Sequence, residues 1–340
     1  MVFKRIIQFI AGLILLLTLL TFGLFWYGSQ QLHQSLGFTA PIQIEVQRGM
    51  HARTILHHLN QQGATLNVTS VYLASRVLAN PQRIQAGVYE LTPSDTVADL
   101  WRKLRHGEQY VFRVALIEGR TLAEWVEVLE NSDHLLWPDE LRGNTAQLQQ
   151  RLNERLGTQH ASFEGLLYPD TYGYTANTQG LDLLVTAYRR MNQELEQIWQ
   201  QREADLPYAT SYELLIMASI IEKETGLDGE RGKVSSVFVN RLRTGMRLQS
   251  DPTTIYGIPN FDGNLTRAHL RELTAYNTYR IDGLPPTPIA MPSRQSLVAA
   301  AHPEQTDYFY FVADGTGKHV FSRTLAEHNR AVNRYQRNQR

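Results

Sequence analysis

From Ile6 to Tyr27 the chain runs for about 22 residues without a charge, enough to cross a bilayer as one helix. No other feature restricts the chain so strongly, because a helix apolar on all sides needs either lipid or a large protein interior around it. Lys4 and Arg5 precede the run and Trp26 and Tyr27 close it. Basic residues stay on the cytoplasmic side and aromatic rings favour the membrane interface, so residues 1–5 are expected in the cytoplasm, 6–27 in the membrane and the rest outside the cytoplasm. A cleaved signal peptide is the competing reading. Its apolar stretch would be shorter and would end in small residues, not in Leu24-Phe25-Trp26-Tyr27.

The remaining length suits two domains. Lys plus Arg and Asp plus Glu both number 33, a net charge of zero, so nothing points to nucleic acid. With no cysteine there are no disulfides, thiol nucleophiles or zinc-finger spacings. The eleven histidines are scattered without ligand spacing and read as ordinary surface or satisfied residues, so no metal or cofactor is expected.

Gly28 to Pro41 reads as a polar connector, and a small α+β domain is expected over 42–118. Ile42, Ile44 and Val46 alternate as in a half-buried strand. Helices are expected over 51–61 and 71–78, a strand over 86–91, a helix capped by Ser94 or Asp95 and ended by Gly107, and a strand over 110–117. The order strand, helix, helix, strand resembles that of LysM, a peptidoglycan-binding module.

A mainly helical domain is expected over 119–340, opening at the capping box Thr121 and Glu124. A surface helical region over 133–152 and an irregular loop over 163–172 follow, then an amphipathic helix over 181–202. Thr210 with Glu213 forms a second capping box, and Leu214 to Ile221 is apolar except for Ser219, which describes a core helix. It ends in Glu222-Lys223-Glu224-Thr225, with Gly226 placed to take the left-handed closing conformation. A turn over 229–232, a helix over 233–242, a helix over 293–301, a hairpin over 308–321 and a last helix over 324–337 complete the chain.

Carboxylates at a helix C-terminus meet partial negative charge, and partial burial raises their pKa further, so one of them can stay protonated near neutral pH and act as a general acid. Glu222 and Glu224 stand about 200° apart around the helix and cannot both face one cleft. Glu224 shares the stripe of Met217, Ile220 and Ile221. The plain alternative is that both solvate a helix end. Runs 246–256, 275–279 and 283–289 mix amide, hydroxyl, aromatic and proline residues, a composition suited to a carbohydrate groove.

The stretches EGLLYPDTY, ASIIEKET, SSVFVNRLRTGMRLQSDPTTIYG, AYNTYRIDGLPP and YFYFVADGTGKHVF together resemble the endolytic murein transglycosylases, the YceG-like or MltG family. The resemblance implies an inner-membrane enzyme with a periplasmic body, a LysM-like part and a catalytic part that cuts peptidoglycan glycan strands internally. It implies Glu224 as the catalytic acid, and beside it a role in terminating growing strands near peptidoglycan synthases. Gln249, Asp251, Tyr256, Asn277, Tyr279 and Glu164 are the expected substrate-binding residues. Asp251, Glu164 and Asp170 are each either structural or a second carboxylate. A two-carboxylate hydrolase using Glu224 with Asp251 and a noncatalytic glycan-binding scaffold are the alternatives.

Overall fold

The first helix, α1 (Val2–His33), leaves every residue from Val2 to Tyr27 exposed. It is long and apolar enough to cross a membrane. The hydroxyls of Thr18 and Thr21 fold back onto the carbonyls of Ile14 and Leu17, which satisfies them without water. The helix runs six residues past Tyr27, and Leu32, Leu36 and Phe38 bury in the core that follows. The segment read as a polar connector therefore begins as helix and supplies three core anchors. The computed structural model describes residues 2–337; Met1 and residues 338–340, the outer ends of the first and last expected segments, lie outside the described residues.

The chain divides into two units, Met1–Phe112 with Gly173–Thr178 and Arg113–Tyr172 with Gln179–Arg340. In the first, β1 (Ile42–Val46) is followed by α2 (Ala52–Gln61) and α3 (Val68–Leu78), and β2 (Gly87–Leu91) returns antiparallel to β1 with Ile44 opposite Tyr89. The strand, helix, helix, strand order is the one read from the sequence. Order alone does not define a LysM module. Next comes α4 (Val97–His106), closed by Gly107 at φ 66°. Its cap is Thr96, not Ser94 or Asp95: Thr96 and Asp99 have the three-residue spacing that lets each satisfy the other's backbone N–H. Asp95 is used elsewhere, accepting from Thr92 N at 2.6 Å and Lys103 Nζ at 2.8 Å.

The chain passes between the units within β3 (Phe112–Leu116) and β4 (Asp170–Tyr174), which pair in a two-stranded sheet. β4 begins inside the stretch read as an irregular loop and runs two residues past its end. Tyr172 and Tyr174 bury on alternate positions, a period-two signal masked by the neighbouring Pro and Gly. In the second unit α5 (Leu122–Glu130) starts at the expected Thr121–Glu124 box. Within the surface helical region expected over 133–152, Gly143, at φ 64°, precedes α6 (Thr145–Leu156), which buries Leu148 and Leu152 and so is not purely a surface element.

After α7 (Gly180–Gln201), α8 (Ser211–Glu224) runs through the middle of the second unit with Leu214 to Ile221 all buried. Packed on it are α7, α9 (Asp228–Arg243), α10 (Asp251–Tyr256) and α11 (Arg294–Ala301). Ser219, the one polar residue in that run, donates to Ile216 O at 2.7 Å and accepts from Ile289 N at 3.0 Å, so its burial costs no hydrogen bond. At the start of α8 only half the capping box forms. Thr210 accepts from Glu213 N, while Glu213 takes Ala209 N.

The C-terminal end of α8 differs from expectation. Gly226 is not left-handed; Thr225 leaves the helix in an extended conformation at φ −148° and its hydroxyl accepts from Leu227 N at 3.1 Å. A side-chain turn thus ends the helix, and α9 begins early enough to absorb Gly229 and Gly232, which were read as a turn. β5 (Tyr310–Ala313) and β6 (His319–Ser322) form the expected hairpin, followed by α12 (Leu325–Val332) and a π-helical turn, Asn333–Arg337.

Candidate active site

The last turn of α8 separates its acids as the 200° spacing requires. Glu222 points into the protein, its side chain only 5% exposed, and accepts from Ser293 N at 2.9 Å, from Ser293 Oγ and from Ser296 Oγ at 2.7 Å, with Arg231 3.7 Å away. It is committed to holding the N-terminus of α11. Lys223 reaches out to Gly119 O. Glu224 faces the other way, into a cleft of about 270 Å³.

On that cleft converge Arg241 from α9, Gln249 and Asp251 around the start of α10, and Tyr279. The facing wall is Tyr310 and Phe311 from β5 and Leu325 and His328 from α12. Ser250 Oγ donates to Glu224 Oε1 at 2.5 Å. The serine is itself fixed, because its N–H donates to Thr278 Oγ1 at 2.9 Å and Gln249 N donates to Thr278 O at 3.1 Å. Gln249 sits at φ 52°, a conformation that non-glycine residues adopt mainly where the surroundings impose it. Tyr279 donates to Asp251 Oδ1 at 2.7 Å.

Burial raises the Glu224 carboxyl to about 7, and the negative charge of Asp251 pushes the same way. The Ser250 hydrogen bond and the positive charges of His319 and Arg241 oppose the rise without cancelling it. Desolvation therefore does what the helix-end argument asked of the backbone dipole. Arg241 donates through Nε to Phe309 O at 2.7 Å and also to Leu248 O, and its guanidinium lies 5.4 Å from the Tyr310 ring centre. His328 stacks on the same ring at 5.3 Å, and burial together with Arg241 lowers its pKa.

Of the residues singled out from the sequence, Gln249, Asp251 and Tyr279 line the cleft with Glu224, while Glu164, Tyr256, Asn277 and Asp170 do not. Buried Glu164 accepts from Leu122 N at 3.0 Å, at the first turn of α5, and from the Tyr256 hydroxyl at 3.2 Å; desolvation raises it to about 7. Asn277 is fully buried and donates to His269 O and Glu272 O while accepting from Tyr279 N at 3.1 Å, so it shapes the loop that carries Tyr279. Asp170 pairs with Arg190. Sequence reading overlooked Ser250, Arg241, Tyr310, Phe311, Leu325 and His328. Arg241 had a signal: it stands three and four residues beyond Phe238 and Val237, on the apolar face of its own helix. His328 had none beyond being one of eleven histidines. Among the described residues, no three His, Asp or Glu are grouped to hold a metal ion.

The profile of the YceG-like family matches residues 44–334, from β1 through the last helix. The chain belongs to the YceG-like family. Within that family it is 31% identical over 264 residues to the endolytic murein transglycosylase of Bacillus subtilis, covering 74% of this chain and 73% of the relative. It is 30% identical over 175 residues to the endolytic murein transglycosylase of Streptococcus pneumoniae, half of this chain but 31% of that protein. The crystal structure of a YceG-like protein from Listeria monocytogenes superposes with a TM-score of 0.55 at 26% identity, over 86% of this chain and 99% of the other. The matched range includes every residue lining the cleft of this YceG-like chain and leaves out the whole of α1.

Proposed function

We propose that this chain is an endolytic peptidoglycan transglycosylase that cuts the bond between N-acetylmuramic acid and N-acetylglucosamine within glycan strands, with Glu224 as its acid. The observation that carries the mechanism is a half-buried glutamate raised to about 7 in a cleft lined by aromatic, charged and amide side chains. The names of the relatives support the activity.

Ser250 donates to Oε1, so the proton of neutral Glu224 sits on Oε2, free to pass to the glycosidic oxygen. The bond from that oxygen to the anomeric carbon breaks, and positive charge develops on the sugar. The sugar's own 6-hydroxyl oxygen then bonds to the anomeric carbon and gives its proton to the Glu224 carboxylate. The product is a 1,6-anhydro end, the acid is regenerated, and no water is consumed. Asp251 supplies negative charge beside the developing cation, with Tyr279 orienting it. Tyr310 and Phe311 offer faces for sugar stacking, and Gln249 an amide for sugar hydroxyls.

In this reading α1 anchors the enzyme in the inner membrane with Lys4 and Arg5 in the cytoplasm and the body in the periplasm, beside synthases whose nascent strands it terminates. Asp251 lies on the same cleft, which favours hydrolysis with a second carboxylate as the competing chemistry. Mass spectrometry of muropeptides released in heavy-oxygen water by the full-length enzyme in detergent separates the two. Transglycosylation gives ends lighter by one water and free of label; labelled reducing ends would mean hydrolysis.

The titration of the acid sets the pH profile. Glu224 must be protonated in the free enzyme, so kcat/KM should hold below about 7 and fall tenfold per pH unit well above it. A descending limb near the ordinary glutamate range of about 4.3 would remove Glu224 from the role of a desolvated acid.

A further inference from the structure

On α3 the inner residues Val71, Ala74 and Ser75 are buried, but Leu73 is 56% and Val77 79% exposed. Val77 is the most exposed large apolar side chain outside α1 among the described residues. Leu73 and Val77 are four residues apart and share one helix face. Arg76 is the only charged residue in α3.

What lies beside that face is the end of α1. The two helices pack together at Gly28, where an added Cβ would stand 3.0 Å from Leu78 Cδ1 and 3.8 Å from Ala74 Cβ, and the Tyr27 hydroxyl meets Ser70 Oγ at 3.4 Å. Between them runs a groove of about 550 Å³, lined on one side by Thr21, Leu24 and Phe25 and on the other by Leu73 and Val77. Leu24 precedes Tyr27 by three residues, roughly 4.5 Å along the axis, so this part of α1 still lies within the uncharged span. Side chains that share a groove with Leu24 and Phe25 share their depth.

Resting on the reading of α1 as a bilayer-spanning helix, we propose that α3 is a membrane-interface element: Leu73 and Val77 insert at the headgroup boundary of the leaflet through which α1 leaves, and acyl chains fill the groove. Arg76 extends toward lipid phosphates, as long basic side chains do at such a boundary. The first unit is then docked on the bilayer surface through two helices instead of hanging from α1 alone.

The absence of cysteine makes single-site labelling unambiguous. Leu73→Cys and Val77→Cys in the full-length protein, spin-labelled and reconstituted in phosphatidylethanolamine–phosphatidylglycerol vesicles, should be relaxed by oxygen and shielded from a water-soluble nickel chelate. Their depth should be about 5–10 Å inside the headgroup boundary. His57→Cys, on the exposed face of α2, should be open to nickel, and Leu15→Cys, within α1, should be shielded. Nickel access at 73 and 77 equal to that at 57, with 15 still shielded, would overturn the docking and leave the anchor standing. Access at 15 would bring down the spanning helix and the docking with it.

Discussion

Glu224→Gln should lower the rate of glycan cleavage by at least about 10³-fold while strand binding and fold survive, as read from muropeptide release alongside a binding assay on the same protein. Gln fills the same volume and still accepts the Ser250 hydroxyl, but it has no proton of suitable acidity for the glycosidic oxygen. In the proposed mechanism this carboxyl is used twice, as acid and then as base, so no neighbour is expected to replace it. The stability of the variant argues the same point from another side. A carboxyl raised to about 7 in the folded state contributes stability that is complete below its unfolded pKa of about 4.3 and is lost as pH rises through 7. Above pH 7 the wild-type protein carries an ionised, desolvated carboxylate and the Gln variant does not. The variant should therefore unfold no earlier than wild type there, and activity lost with stability kept identifies a chemical role. Turnover near the wild-type rate would end Glu224's claim to the acid.

Glu222→Ala should act in the opposite sense, costing about 3–5 kcal/mol of stability, measured by denaturant unfolding of the full-length protein in detergent. The Glu222 and Arg231 side chains are 5% and 9% exposed, and removing the carboxylate takes the acceptor from Ser293 N–H and two serine hydroxyls and a nearby anion from the buried guanidinium. It also removes a negative charge from the N-terminus of α11, where the helix dipole favours one. Arg231 keeps a partner in Asp228, but that aspartate is largely exposed. Under conditions where both variants remain folded, Glu222→Gln should retain far more activity than Glu224→Gln. The reverse ranking would mean that the other face of α8 meets the substrate. An unfolding midpoint unchanged by Glu222→Ala would show that the buried network contributes nothing net.

Local rules account for much of this molecule. The capping residues Thr121 and Thr210, the unbroken apolar run of α8, the charge-free length of α1 and the alternation in β1 are all settled among residues a few positions apart. The opposition of Glu222 and Glu224 is of the same kind, since it follows from helix pitch alone. Local rules also misled in places. Gly226 carries a stop signal that the chain does not use, because the Thr225 hydroxyl ends α8 first, and Thr96 took the cap expected of Ser94 or Asp95 because only it has an acid three residues on.

What tertiary structure decided is which of these groups meet. Ser250 reaches Glu224 across 26 residues, and Ser293 and Ser296 claim Glu222 from more than 70 residues away. Tyr310, Phe311, Leu325 and His328 form a wall of the cleft only because the C-terminal hairpin and helix return to α9. No spacing in the chain encodes these meetings. Backbone hydrogen bonding and side-chain periodicity act over one or two turns and so are written in neighbouring residues. The desolvation that lifts Glu224 depends on whatever the whole fold places around it, and that is a property of the packed molecule.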